Sequence, residues 1–415
     1  MTLPKGWKTQ RLDAIASTQL GKMLNKNKQT GNNTVPYLRS FNVQWGHFDL
    51  SDVKEMDIDP LEREKFTVCK GDLLVCEGGE SGRVALWNQD YEIGFQNALH
   101  RVRAGNSISN KYLYYYFEWL VKNNLINHLF NGVTIKHFPQ ESLRSVQISY
   151  PENLTEQEKI VEILEDHLSR LDAALADVKQ AKIKAAQFRR SLLNACFTGL
   201  LFKGEKDAET GIPCHWMLTT LSEVAKWTSG GTPTSSNSSY YDGDVPWVVI
   251  GDLTEGVVMD TAKMITATGL EASSAKILPQ GTVMLAMYGA SIGRTGVMGK
   301  TMSTNQAIAC GIVDESKIVR EYLLYFLQSQ KQNFIFAGKG GAQPNISQGV
   351  VKDWAIALPP LNEQKEIISE IERQLSYLDS SSRMTEHIQK ESASLRRSLL
   401  QAAFTGQLTK EEVNV

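Results

Sequence analysis

Two long stretches of the chain space their apolar residues in steps of three and four. The first runs through Ile160, Leu164, Leu168, Leu171, Leu175 and Val178. The second runs through Ile367, Ile371, Leu375 and Leu378, then Met384, Ile388, Leu395 and Leu399. Such steps keep one narrow stripe on a helix, the seam of a coiled coil rather than a broad globular face. Thr155 and Glu158 have the spacing of a capping box; Asn362 takes the matching place, where Lys365 leaves the box incomplete. Both stretches close on two arginines, favourable against a C-terminal dipole, and then on Gly199 or Gly406 at the expected C′ position. Elsewhere the pattern shortens. Residues 73–79 and 283–290 are apolar runs ending at glycine, as in buried strands that lead into tight loops. Residues 112–120 and 322–327 read as short helices.

These elements occur twice. FRRSLLNACFTG at 188–199 returns as LRRSLLQAAFTG at 395–406, identical at nine of twelve positions. TEQEKI (155–160) answers NEQKEI (362–367), and VPYLRSFNV (35–43) answers VPWVVIGDL (245–253). The chain is a duplicated unit of globule plus helix: globules at 1–150 and 213–358, helices at 151–200 and 359–408, a linker at 201–212 and a tail at 409–415. At 1.5 Å per residue each helix is roughly 65 Å long, and one apolar stripe of that length needs a partner. Its own repeat copy, paired antiparallel, is the most economical one. Packing of each helix on its own globule, or homodimerisation, is the alternative.

Composition adds limits. With 415 residues the chain has room for several domains with real cores. No apolar run approaches the roughly 20 residues of a membrane span, and MTLPKGWKTQ lacks a signal-peptide core, so a cytoplasmic location is expected. Five scattered cysteines without a C-x-x-C pair fit free thiols in a reducing compartment. The net charge is only -2; residues 1–150 carry 18 basic and 15 acidic side chains, residues 213–358 carry 10 and 11. Any polyanion contact must therefore come from local patches.

Loops after the strands carry the candidate chemistry. GGESGR (78–83) and YGASIGRTG (288–296) each set one arginine among small residues, and Gln96-Asn97 answers Asn305-Gln306. Asn and Gln can bond adenine bidentately, Arg guanine, and glycine lets a backbone approach a duplex. The candidates in the first globule are Lys22, Lys26, Arg39, Glu77, Ser81, Arg83, Gln96, Asn97 and Lys136. In the second they are Thr232, Tyr240, Tyr241, Tyr288, Ser291, Arg294, Asn305, Gln306, Gln343 and Asn345. Ordinary polar hairpin tips are the competing reading of each loop. At the helix ends, Arg189, Arg190 and Phe197 and their copies Arg396, Arg397 and Phe404 are candidate partner contacts, because arginine and aromatic side chains anchor protein interfaces; caps packed on their own globules are the alternative. Catalytic and metal constellations are absent from the sequence. GRTGVMGKT (293–301) has five residues where a phosphate loop has four, the seven histidines form no zinc pattern, and no N-P-P-Y segment for a flipped base occurs.

The layout resembles the specificity subunits of type I restriction–modification systems. The resemblance rests on the P-x-G-W start (Pro4, Gly6, Trp7; reduced to Pro213 and Trp216), the helix entry Pro360 to Ile367, looser at Pro151 to Ile160, and the exit Ala403 to Leu408. It implies an α+β fold: two strand-rich target recognition domains joined by two long helices in an antiparallel coiled coil, with an internal pseudo-twofold repeat. It further implies a non-catalytic, sequence-specific subunit that reads a split site on double-stranded DNA and scaffolds two methyltransferase subunits together with restriction subunits. The chain itself would need no cofactor; S-adenosylmethionine, ATP and Mg would sit on the partners. The alternatives are a bivalent coiled-coil scaffold that binds protein only, and a methyltransferase or nuclease acting alone.

Overall fold

A computed structural model describes residues 3–25, 29–132, 134, 136–200, 205–339 and 344–408. Two uninterrupted helices of 44 residues each, Leu154–Phe197 and Leu361–Phe404, carry the repeated phrases. The chain divides into two units, Met1–Val178 with Glu386–Val415, and Lys179–Thr385. Each unit holds one strand-rich globule and a piece of both long helices. In the first, Ile160, Val161 and Leu164 from a helix start share a core with Leu400, Ala403 and Phe404 from a helix end. In the second, Ile367, Ile368, Ile371 and Leu375 share a core with Leu192, Leu193, Cys196 and Phe197. Starts meeting ends means antiparallel packing in both units.

The globules are built alike. In the first, strands Ala16–Leu20, Leu99–Ala104, Leu73–Cys76 and Val84–Leu86 form one sheet in that order. In the second, Ala225–Ser229, Ile308–Val313, Val283–Ala286 and Thr295–Met298 repeat that order, with Val257–Val258 added at the edge. The continuous apolar runs now have a reason. Leu73 and Val75 face the helical core while Leu74 and Cys76 face a second sheet, and Val283 and Leu285 against Met284 and Ala286 do the same. A sheet covered on both faces needs no polar alternation. The helices Asn110–Lys122 and Arg320–Ser329 pack on it, anchored by Tyr112 and Tyr322, whose hydroxyls donate to the carbonyls of Ser149 (2.9 Å) and Ala357 (3.0 Å).

The duplicated Glu-Gln pair fastens each helix start to its globule. Gln364 is fully buried; its Nε2 donates to the carbonyls of Lys317 and Pro359, both at 2.9 Å, and its Oε1 accepts the Val319 amide at 2.8 Å. Gln157 repeats all three bonds, to Ser107 (3.0 Å), Pro151 (2.8 Å) and the Ser109 amide (3.0 Å). The neighbouring glutamates accept from the start-motif tryptophans, Glu156 from Trp7 at 3.2 Å and Glu363 from Trp216 at 2.9 Å. The exits are fastened as well. Gly406 (φ +70°) and Gly199 (φ +68°) hold the left-handed conformation, and a Cβ would fall 2.2 Å from Pro4 Cγ or 2.3 Å from Pro213 Cδ. Start proline and exit glycine are thus one contact, made twice.

Two local expectations change. The first helix begins at Leu154 and its cap is Asn153, whose Oδ1 accepts the Thr155 amide at 2.9 Å, so Thr155 lies inside the helix. The second begins at Leu361, which places Asn362 inside too. Asparagine caps as well as threonine, and here it precedes it.

Candidate nucleic-acid interface

At one end of each main sheet four loops are knitted by the same backbone bonds. In the second unit the Met287 amide donates to Ala307 O (2.9 Å), Ile346 to Met287 O (3.0 Å) and Gly293 to Ala286 O (3.0 Å). In the first unit Glu77 donates to Ala98 O (3.0 Å), Phe138 to Glu77 O (2.7 Å) and Gly82 to Cys76 O (2.8 Å). The strand ends at Lys22 and Gly231 complete each cluster, through Asn97 N to Lys22 O (3.1 Å) and Gly231 N to Thr304 O (2.9 Å). A conserved framework of main-chain bonds therefore carries different side chains in its two copies.

The second cluster presents the more open set. Arg294 is exposed, and its guanidinium makes no hydrogen bond or ion pair among the described residues. Around it stand Tyr288, 42% exposed, half-buried Ser291 and exposed Asn345, which bridges to Tyr288 along the backbone. Thr232 and Gln306 are exposed and bonded to each other; Asn305 accepts the Ala307 amide at 3.2 Å. Tyr240 and Tyr241 are half-buried. The Tyr241 hydroxyl donates to Pro233 O at 2.6 Å, and its ring lies 6.1 Å from that of Trp247, which makes it a support for the loop. Gln343 lies outside the described residues.

In the first cluster several candidates are engaged internally. Arg83 donates to Ser40 O at 2.7 Å, to Gln44 at 3.4 Å and to Glu80 at 3.2 Å, and only 14% of its side chain is exposed. Arg39 is clamped on Asp52 at 2.8 Å, and Lys22 on Glu62 at 2.5 Å with its ammonium over the Phe66 ring. Ser81 is buried and donates to Glu77 O (2.9 Å) and Lys136 O (2.6 Å). In this structure all four are bonded to groups of their own globule. Gln96 and Asn97 are half-buried and Lys136 exposed, so they remain on the surface. Glu77 is half-buried; burial raises its pKa, and the nearby His137 opposes that rise. Lys26 lies outside the described residues. Gly21 and Gly230 do not serve a duplex: a Cβ there would fall 2.3 Å from Gln96 C and 2.0 Å from Thr304 O, so each allows one loop to cross another.

Exposed His137 and Lys339 join the clusters and were not among the candidates. The signal was available, since each lies in a loop singled out for other residues. GRTGVMGKT is settled by its element: Thr295–Met298 is a buried strand, where a phosphate loop needs a helix start, and Lys300 pairs with Asp260 at 3.2 Å. Among the described residues no group of three or more His, Cys, Asp or Glu could hold a metal ion, and no helix is long and apolar enough to cross a membrane.

The helix-end candidates divide sharply. Phe197 is 6% exposed, against Tyr322 and Phe326 at ring distances of 5.0 and 5.6 Å; Phe404 is 3% exposed, against Tyr112, Tyr116 and Trp119 at 5.3, 5.0 and 5.6 Å. Both are core residues, which corrects the expectation of partner-facing aromatics. Arg396 pairs with Glu118 (3.6 Å) and Asp172 (3.2 Å), while Arg189 donates to Gln328 (2.9 Å) and pairs with Glu255 (3.8 Å). Arg190 and Arg397 stay exposed.

The model of the type I restriction modification DNA specificity domain matches residues 4–185 and again 213–391. The chain belongs to this family. It is similar to the specificity subunit of the StySPI type I restriction enzyme of Salmonella potsdam, 22% identical over 99% of this chain and 90% of that one. The EcoKI specificity subunit of Escherichia coli K12 is 23% identical over the same shares. Among solved structures, a chain described under complex assembly and conformational transition of the type I R-M system has a TM-score of 0.73 at 18% identity, covering 98% of this chain and 100% of that one. The HsdS subunit of Thermoanaerobacter tengcongensis gives 0.60 at 19%, with 98% of each covered. Membership in this family makes the chain a DNA-specificity subunit, not a catalytic one. The α+β fold with paired long helices is that of its structural neighbours. A scaffold that binds protein alone is not favoured.

Proposed function

We propose that the two loop clusters each read one half of a split DNA site. Support comes from the duplicated main-chain framework, which carries Gln96, Asn97 and Lys136 in one copy and Thr232, Tyr288, Ser291, Arg294, Asn305, Gln306 and Asn345 in the other. A common frame with different side chains gives two readers of similar pose and different base preference. Arg294 suits a bidentate contact to guanine, and the amide side chains suit adenine. Two modification subunits and restriction subunits are the proposed protein partners. They would bring S-adenosylmethionine, ATP and Mg, leaving this chain to hold DNA in register in the cytoplasm.

The test is duplex binding over a salt series, followed by mapping of methylated motifs in cells that express the complete system. Binding should fall steeply with salt, because phosphate contacts release counterions. The mapped motif should have two specified parts separated by unspecified bases. Salt-independent binding, or one uninterrupted motif, would defeat the reading.

A further inference from the structure

Each unit has a groove where a helix end meets its globule, about 500 Å³ beside Arg396 in the first unit, and the two differ in their lining. In the second unit a groove of about 460 Å³ runs between the end of the first long helix and the globule, lined by Ile183, Ala186, Arg190, Leu193, Lys331 and Gln332 among others. Its charged lining is Arg189, Arg190 and Lys331 against Glu255 alone, three cations to one carboxylate. Glu255 is already shared by Lys331 (2.7 Å) and Arg189 (3.8 Å), while exposed Arg190 makes no ion pair among the described residues. Beside the groove the short helix Lys331–Ala337 places Phe336 one turn beyond Gln332, on the same helix face. Phe336 is 94% exposed, and Ile183 is 43% exposed. A phenylalanine so fully in water on a regular helix wants cover.

In the first unit the counterparts are different. FNG (130–132) looks like FAG (336–338) in sequence, but the matching bridges Asn131–His137 and Lys339–Asn345 set Phe130 at the place of Gly338, and half-buried Phe130 packs with its ring 4.9 Å from that of Phe138. Ile183 is matched by Lys390, although Arg397 still answers Arg190. Among the described residues, the second unit's groove thus has Ile183 in its wall and Phe336 beside it, where the first unit has Lys390 and no matching exposed phenylalanine.

We infer that this groove, with Phe336 at its rim, docks an amphipathic segment bearing an acidic residue from one of the two modification subunits. The inference rests on the proposed function above. Apolar wall, exposed aromatic and unpaired arginine are the composition of an interface centre, and the surplus of positive charge selects an acidic partner. Two identical modification subunits would then be held unequally, one with this anchor and one without it.

The experiment uses the full chain co-purified with its modification subunit. Phe336→Asp and Arg190→Glu are made singly, and subunit stoichiometry is read by native mass spectrometry over a salt series. Wild type should hold two copies; each variant should release one copy on the order of tenfold more readily, with the other unchanged. Should Phe336→Asp fold poorly, Arg190→Glu carries the test alone. Two copies held as in wild type, or both weakened equally, overturn the inference. So does full stoichiometry with loss of one DNA half-site, which would assign the surface to DNA. Failure of wild type to hold any modification subunit would bring down the proposed function, and this inference with it.

Discussion

Replacing Gln364 by leucine tests the claim that the Glu-Gln motif is a structural clamp. Leucine roughly fills the buried volume but bonds none of the three main-chain groups that the amide satisfies. Those groups are the carbonyls of Lys317 and Pro359 and the amide of Val319, all within 2.9 Å of the side chain. A buried group left unpaired costs about 1–3 kcal/mol. Lys317 O and Val319 N lie near enough to the surface to regain water, at about 1 kcal/mol each; Pro359 O is enclosed, at about 2 kcal/mol. The sum is about 4 kcal/mol, or close to a thousandfold in an opening equilibrium at 1.4 kcal/mol per decade. Because the chain has two units, a single global unfolding midpoint would blur the effect. Amide hydrogen exchange by mass spectrometry on residues 314–322 and 361–371 reads it locally, with residues 107–112 as an internal control. Gln157→Leu should produce the mirror result. A change below about 1 kcal/mol in the clamped segments would show that the glutamine is incidental to the fold.

Three further outcomes are expected. Gly406→Ala should destabilise the first unit by about 1–2 kcal/mol through its left-handed backbone alone, and Pro4→Ala in the same chain should recover only the added steric part, as read by exchange of residues 400–408. Arg294→Ala should relax one half of the methylated motif, and Asn97→Ala the other, each by roughly 1–3 kcal/mol of base discrimination; motif mapping that shows both halves relaxed together would contradict separate readers, while Arg83→Ala should lower stability and leave base choice alone. Asp57 is held below its ordinary value of 3.8: burial pushes upward, but the amides of Gly31, Thr30 and Asn33 and the Thr30 hydroxyl outweigh it. A depressed carboxylate contributes stability above the unfolded pKa and loses it as pH falls through the folded one. Protection of the Thr30, Gly31 and Asn33 amides should therefore decline below about pH 4, and Asp57→Asn should remove that dependence.

Much of this protein is local and was legible as such. The steps of three and four fixed both long helices, because a 3.6-residue period is a property of neighbouring residues. Gly199 and Gly406 marked the exits for the same reason. The duplication exposed the matching loops before any contact was known, since equal spacing in two copies implies equal scaffolding. Two-sided burial of residues 73–76 and 283–286 showed in their unbroken apolar runs.

Tertiary structure decided which of the polar and aromatic residues were available. In one dimension Arg83 and Arg294 look like equals; in space Ser40, Gln44 and Glu80 surround the first, while the second stands in solvent. Phe197 and Phe404 looked like anchors for a partner, but their partners are rings 125 and more residues away along the chain. Gln157 and Gln364 read as ordinary helix-start residues, although one carbonyl and one amide that each satisfies come from a loop some fifty residues upstream. Phe130 and Phe336 share a sequence context, yet the first is half-buried against Phe138 and the second is 94% exposed. Helical period and turn chemistry depend on near neighbours and are written in order along the chain. Exposure and hydrogen-bond satisfaction depend on what folds back from far away, and only the folded chain assigns them.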